Sequence, residues 1–385
     1  MGPAPTDEAT AGDSRAQRFV EAMVVGGATL FLFPLSYLLR STVGLDRSVL
    51  AVSVLVLHAA RVINDPHFSV TYLLFYREAR SRALGPGFSG AQRARYVFAG
   101  VVVPLALVLW AGLALYLRSA QSLGWMVELM FLLVGWHYVK QGFGVLTVLS
   151  ARRGVRHTDH ERTIILLHCY AAWAFAWASP SGDAGRFEEK GVVYWGPAHP
   201  AWLELTTGVV LFVSTIALLS TLVAKGRRER RLPGVPLAAF LITLWSWTIG
   251  SNFDPLVGYA IPALHSLQYF YFVWLVRRNQ ALGHQGPPTF GPPVSTQLGL
   301  LALTAIGLGW LMLRGAPALL DDMLAFGDPH GALGITPFFA AFAFVINIHH
   351  YFMDNVIWRR ENPETRFLLG PDPTPDAREP LARAE

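Results

Sequence analysis

A single cysteine, Cys169, stands among the 385 residues. It lies within an apolar run, so neither a disulfide framework nor a thiolate metal site can be built from it. Charge is scarce as well. Asp, Glu, Lys and Arg make up 15% of the chain, where a soluble domain carries about 25%. No segment repeats at a fixed period, no glycine-rich phosphate loop occurs, and no nucleophile-elbow sequence supports Ser-His-Asp catalysis. The first 17 residues are polar, with Pro, Gly and acidic side chains. They lack the short apolar core and small-residue cleavage site of a signal peptide and read as a disordered cytoplasmic tail.

What the chain has in abundance is apolar sequence, 53% of its residues. Runs of about 20 such residues, enough to cross a hydrocarbon core, recur from end to end. The expected fold is all-α: a polytopic membrane helical bundle of about ten transmembrane helices over residues 18–358, with a cytoplasmic tail over 359–385. The spans fall near 19–39, 48–76, 96–117, 123–149, 162–178, 202–224, 234–251, 256–276, 296–313 and 333–357. Of the 31 Lys and Arg residues, 23 lie in the two tails and in the loops after the second, fourth, sixth and eighth spans. The opposite set holds 6, namely Arg40, Arg47, Arg118, Arg186, Lys190 and Arg314, and Arg61 and Lys140 lie inside spans. Such an imbalance predicts both termini cytoplasmic, and the expected setting is a bacterial-type inner (plasma) membrane. It also accounts for the net charge of +5 without a nucleic-acid partner, which would need basic residues clustered on one folded face. The longest outer loop, Ser179–Pro200, mixes charge and aromatics and reads as a cap or interfacial segment.

At about 1.5 Å per residue, five spans bring imidazoles to one depth. His67 lies in the second, His137 in the fourth, His168 in the fifth, His265 in the eighth, and His349 and His350 in the tenth. Ionisable residues at this depth are costly and face an interior cavity or a partner. One histidine per helix is ordinarily a satisfied core residue; five at one depth predict a shared site. In "RVINDPHFSVTYLLFY", Asp65 followed by Pro66 resembles an N-cap and first helical residue, which implies a broken second helix lining a cavity. The plainer alternative is an i,i+4 ion pair of Arg61 with Asp65 around a kink. In "GWHYVKQGFG", His137 and Gln141 share a face, and Lys140 either pairs with Asp354 or Asp65 or snorkels toward the cytoplasmic surface. His265 shares its face with Gln268 and Tyr269. Asn347, His350 and Asp354 recur at i, i+3 and i+7 and form one polar face. Adjacent histidines point about 100° apart, so only one of His349 and His350 reaches a given metal.

Neutral imidazoles with a carboxylate and no thiolate suit Fe, Zn, Cu or Mn. A multi-histidine ferrous site in an apolar cavity is suited to oxygenation of a hydrophobic substrate supplied by the lipid bilayer. Four islands, in order, resemble the Brp/Blh family of bacterial membrane carotenoid dioxygenases, which cleave β-carotene to retinal with histidine-bound iron. They are Pro66-His67, His137, His265-Ser266 with "FVW" at Phe272–Trp274, and His349 with Asp354 before Arg359. Two departures stand out. "PHFSVTY" lacks the Gly and nearby Asp that follow the family's Pro-His, and Tyr269 stands where the family's second motif carries another histidine.

The expected metal ligands are therefore His67, His137 and His265 with one of His349 and His350. Lys140, Tyr269 and Asp354 are candidate catalytic residues, and Gln141, Tyr72 and Gln268 candidate substrate contacts. Fe(II) is the expected metal, with Zn, Cu and haem as alternatives, and an electron donor as a further partner. Two other functions use the same residues: bis-histidine haem electron transfer, and a proton-coupled transporter built on the broken helix. A loop cluster, "RHTDHER", offers His157, Asp159 and His160 as a second metal candidate or, more plainly, as a helix cap supplied by Asp159.

Overall fold

In a computed structural model, residues 16–250, 254–285, 289–328 and 330–371 are described. Most of the polar tails expected at the two ends, up to residue 15 and beyond 371, lies outside them, as does the last residue of the expected span 234–251. The chain folds almost entirely as helices. Helix α1 (Ala16–Gly27) meets α2 (Thr29–Val43) at a bend of 64°. Gly26 makes the bend possible: its φ is 146°, and a Cβ there would fall 2.8 Å from Thr243.

Helices α3 (Leu45–Ala60) and α4 (Asn64–Tyr76) are the two halves of the second span, separated at residues 61–63. The second helix is interrupted there by a turn but still counts as one 32-residue span, and its second half starts earlier than the sequence suggests. Ile63 is its N-cap, so Asp65 does not cap it, and Pro66 sits in the first turn, where a missing N–H leaves no helical bond unmade. After the short α5 (Ala79–Leu84), a Ser89–Gln92 capping box opens α6 (Gly90–Tyr116). Then follow α7 (Ala120–Arg152) and α8 (Asp159–Ala178). The long loop over 179–200 folds as a hairpin of β1 (Gly185–Glu189) and β2 (Val192–Gly196), paired antiparallel with Phe187 opposite Tyr194. The remaining helices are α9 (Ala201–Glu229), α10 (Gly234–Thr248), α11 (Pro255–His284), α12 (Val294–Leu324), which contains a π-turn at Leu311–Gly315, and α13 (Pro337–Ile357).

Five helices are long and apolar enough to cross a membrane: α3 and α4 taken together, α6, α7, α9 and α12. They become six if α1 and α2 count as one bent span. Ten do not pass that test. Helix α10 has only 15 residues, and α8, α11 and α13 dilute their apolar runs with polar side chains. A helix enclosed by other helices need not be apolar all round, and α13 is buried along most of its length.

The packing puts four helices around one centre. Helix α7 runs along α8, α10, α13 and β2, and α13 also packs on α4 and α6. Helix α11 packs on α3 and α4. Helix α12 lies so close to the start of α4 that a Cβ on Gly309 would fall 2.6 Å from the Asp65 backbone. Helix α9 leans on α8 and buries little beyond Leu211, Leu218, Leu222 and Lys225.

Candidate metal centre

Helices α4, α7, α11 and α13 each deliver one histidine to the centre. His67, His137, His265 and His350 are all buried, and one ring nitrogen from each lies within 4.8 Å of all the others. The rings close into a circuit. The centroid of His67 is 4.9 Å from His265 and 4.6 Å from His350, and that of His137 is 4.8 Å from His265 and 4.9 Å from His350. Four imidazoles bound tetrahedrally at ~2.1 Å place their nitrogens ~3.4 Å apart. The His137 and His265 Nε2 atoms are 3.0 Å apart, a hydrogen-bonding distance, and the full set spreads to 4.8 Å, so the rings would close in by about an ångström around a single ion.

The hydrogen bonds around the rings favour the same use. The single Ser266 hydroxyl proton has two acceptors within reach, the Pro262 carbonyl at 2.8 Å and Asn64 Oδ1 at 3.1 Å. Ser266 Oγ therefore accepts from His67 Nδ1, 2.7 Å away. That tautomer leaves a lone pair on His67 Nε2, a fully buried atom with no partner among the described residues. His265 Nδ1 and both nitrogens of His350 are likewise buried without a hydrogen-bond partner. Buried polar atoms are nearly always satisfied, and each that is not costs about 1–3 kcal/mol. One ring nitrogen of each histidine approaches the other three, and His67 and His350 hold nitrogens there with no other partner, an arrangement that a cation would satisfy.

Asp354 stands beside this ring. Its Oδ1 accepts from the Tyr269 hydroxyl at 3.0 Å, and Thr71 Oγ1 lies 2.7 Å from that hydroxyl. Its Oδ2 is 3.7 Å from His137 Nε2 and 3.6 Å from His350 Nε2. These distances are too long for hydrogen bonds and short enough to complement a positive centre.

Next to the cluster is a cavity of about 1100 Å³. His67, His265 and His350 line its floor, Phe68, Tyr138, Trp247 and Tyr351 its walls, and the hairpin residues Phe187 and Tyr194 its far end. The loop over 179–200 thus closes part of the cavity.

Several expected residues lie elsewhere. His349, one residue from His350, faces another way and is satisfied: Tyr72 donates to its Nδ1 at 2.8 Å, and its Nε2 donates to the Ala99 carbonyl at 2.8 Å. His350, not His349, therefore joins the cluster and stands with Asp354. His168 lies apart, bonded to Ser214 at 3.0 Å between α8 and α9. Asp65 pairs with Arg314 at 3.1 Å rather than with Arg61, which is exposed. Neither Asp65 nor Asp354 pairs with Lys140, which is half-buried toward Cys169 and Arg359. Gln141 donates to Gln268 Oε1 at 2.7 Å, and Gln268 donates to the Val25 carbonyl, tying α7, α11 and α1 together. None of Lys140, Gln141, Gln268, Tyr269 and Tyr72 lines the cavity, because each is engaged between helices or turned from its wall. Tyr138 and Tyr351, which do line it, each follow a cluster histidine in sequence. That adjacency was the available signal.

The loop cluster forms an ionic knot. Thr158, not Asp159, caps α8 through a capping box with Glu161. His160 is exposed, and His157 Nδ1 lies 3.7 Å from Glu161 Oε2. Buried Lys225 reaches the Arg156 carbonyl at 2.7 Å, Glu161 at 3.1 Å and Glu229 at 2.8 Å, while Arg228 reaches Glu161 at 2.6 Å. Burial pushes the Glu161 carboxyl up, but hydrogen bonds from Arg228, the Thr158 backbone and Lys225 outweigh it and hold Glu161 below its ordinary range. Burial pushes the His157 imidazole down, with Lys225 adding to the effect. No protein-family model, curated protein or solved structure matches this chain.

Proposed function

We propose that the protein is an integral membrane, iron-dependent oxygenase acting on a lipid-soluble, carotenoid-like substrate. The observation that carries this reading is the buried ring of four histidines, with unpartnered nitrogens, at the floor of a large and mainly apolar cavity. The neutral nitrogen donors and the nearby carboxylate suit a divalent first-row metal, and nothing sulfurous competes. Four donors surrounding one point leave no plane for a macrocycle between them, which favours a bare ion over haem. The five or six long apolar helices and the biased Lys and Arg distribution support a membrane setting with both termini cytoplasmic. In that setting α8, α10, α11 and α13 complete ten spans, and the hairpin lies on the outer side. The resemblance to the Brp/Blh dioxygenases supports iron and a polyene substrate, with His350 taking the place the resemblance gives to His349.

Bound iron would supply dioxygen activation, which no side chain of this chain can provide. The residues do the rest. His67, His137, His265 and His350 hold the ion, and Ser266 fixes the His67 tautomer. Tyr269 and Thr71 hold Asp354 so that its free oxygen faces His137 and His350 and offsets the positive charge. Phe68, Tyr138, Trp247 and Tyr351 bind the apolar body of the substrate against the histidine floor and exclude water.

The test is oxygen consumption by the detergent-purified, iron-loaded protein with a panel of polyenes, beside His137→Ala and His265→Ala. Substrate-dependent uptake in the wild type, absent from both variants, is the expected result. Iron-loaded protein that consumes no oxygen with any lipophile contradicts the oxygenase reading, and pH-dependent solute uptake in proteoliposomes would replace it with transport.

A further inference from the structure

A second polar feature breaks the apolar wall of the cavity. Asp65 and Arg314 both line it, beside Asn64 and two residues before His67 on α4. Arg314 comes from the π-turn Leu311–Gly315 of α12. Its guanidinium carbon lies 5.3 Å from the Phe339 ring centroid. Of its donors only Nε is used, toward Asp65 Oδ2 at 3.1 Å. The Nη1 and Nη2 groups have no hydrogen-bond partner among the described residues, and neither has Asp65 Oδ1. The Arg314 side chain is 22% exposed and that of Asp65 5%, and both residues line the cavity. An ion pair on an apolar wall is costly to desolvate, and one that satisfied only itself would have no reason to leave its outer donors open.

We propose that Asp65 and Arg314 form a subsite for the hydroxyl end of an amphiphilic substrate, a proposal that rests on reading the cavity as the substrate site. The pair itself is neutral, Lys190 on the same cavity is countered by Glu189, and a carboxylate brought to Arg314 would also meet Asp65. An alcohol fits both partners. Its oxygen accepts from an Arg314 Nη–H, and its proton is donated to Asp65 Oδ1. Because Asp65 and His67 are two residues apart on one helix, an end group held here fixes how far the chain of the substrate extends across the histidine floor. The cavity then selects a polyene or other lipophile with an alcohol at one end.

The experiment uses full-length, iron-loaded protein and three probes: diphenylhexatriene, its 4-hydroxymethyl derivative and its carboxylic acid. Binding is read by energy transfer from the tryptophans. The wild type is expected to bind the alcohol about tenfold more tightly than the hydrocarbon and than the acid, the worth of one hydrogen bond to a charged group. Arg314→Met should abolish that preference while leaving hydrocarbon affinity and iron content unchanged. Arg314→Lys, which keeps the charge, should retain part of it and serves if Arg314→Met does not fold. Equal wild-type affinity for alcohol and hydrocarbon overturns the proposal, as does a variant that loses both probes alike. Iron content is measured on the same samples. Its absence would sink the metal reading and leave the alcohol preference standing or falling on its own.

Discussion

The ionic knot at the start of α8, built on buried Lys225 and Glu161, and the histidine ring between α4, α7, α11 and α13 both take ionisable groups out of solvent, yet they are finished differently. In the knot the charged groups find partners, with only the His157 Nδ1 left over: Lys225 reaches three acceptors, and Glu161 takes hydrogen bonds from Lys225, Arg228 and the Thr158 backbone. In the ring, His67 Nε2, His265 Nδ1 and both nitrogens of His350 have no partner. A buried group that is satisfied holds structure together, and a convergent set that is not satisfied waits for a ligand. His349 and His168 sharpen the contrast. They are buried imidazoles at much the same depth, but His349 has both nitrogens bonded, and His168, bonded to Ser214 through Nδ1 with its Nε2 unpartnered, stands apart from any other histidine.

If the contrast is sound, removing a group from each region should fail in a different way. The largest effect is expected from His67→Ala or His350→Ala. Loss of a ligand should lower metal affinity by more than the roughly hundredfold that follows loss of an outer hydrogen bond, with little change in the thermal unfolding of the metal-free protein. Next comes Glu161→Gln, which leaves Lys225 and Arg228 short of an anion and should lower stability by about 3 kcal/mol, measured by chemical denaturation, with metal content unaltered.

The knot also carries a pH signature. The carboxyl of Glu161 is held below its ordinary value, so its contribution is fully present above ~4.3, the value in an unfolded chain. It is lost as the pH falls from there toward the folded value. Wild-type stability should therefore drop in that acid window by more than that of Glu161→Gln, and parallel acid profiles would contradict the assignment. A smaller effect belongs to Ser266→Ala, which frees the His67 tautomer and should weaken metal binding by roughly ten- to a hundredfold at unchanged fold. The smallest is that of His168→Gln, expected within about 1 kcal/mol of wild-type stability and without any change in bound metal. Metal loss in that variant would erase the distinction between the two kinds of histidine.

Much of this was legible in the sequence because it is one-dimensional. Apolar runs and helical rise place His67, His137, His265 and His350 at one depth, and the Pro66 context marks a break in the second helix. Which way a side chain turns is not one-dimensional. The choice between His349 and His350 depends on the rotation of α13 against α4 and α6, set by packing that no spacing encodes. The partner of Asp65 was illegible for the same reason. Arg314 lies 249 positions away and ends up beside Asp65 because Gly309 lets α12 approach the α4 backbone. Gln141, Gln268 and Tyr269 share faces with the ring histidines, as spacing predicts, but neighbouring helices use those side chains before the cavity can. Only five or six of the ten expected spans stand out by length and apolar composition, because hydropathy describes lipid-facing helices and α8, α11 and α13 carry polar residues that face protein.

The most direct measurement is metal content by mass spectrometry, with a visible spectrum, on protein purified without chelators, for the wild type beside His137→Ala and His265→Ala. The account predicts one iron per chain, no Soret band, and loss of the metal in both variants. Folded wild-type protein that holds no metal, even after exposure to Fe(II), would contradict it.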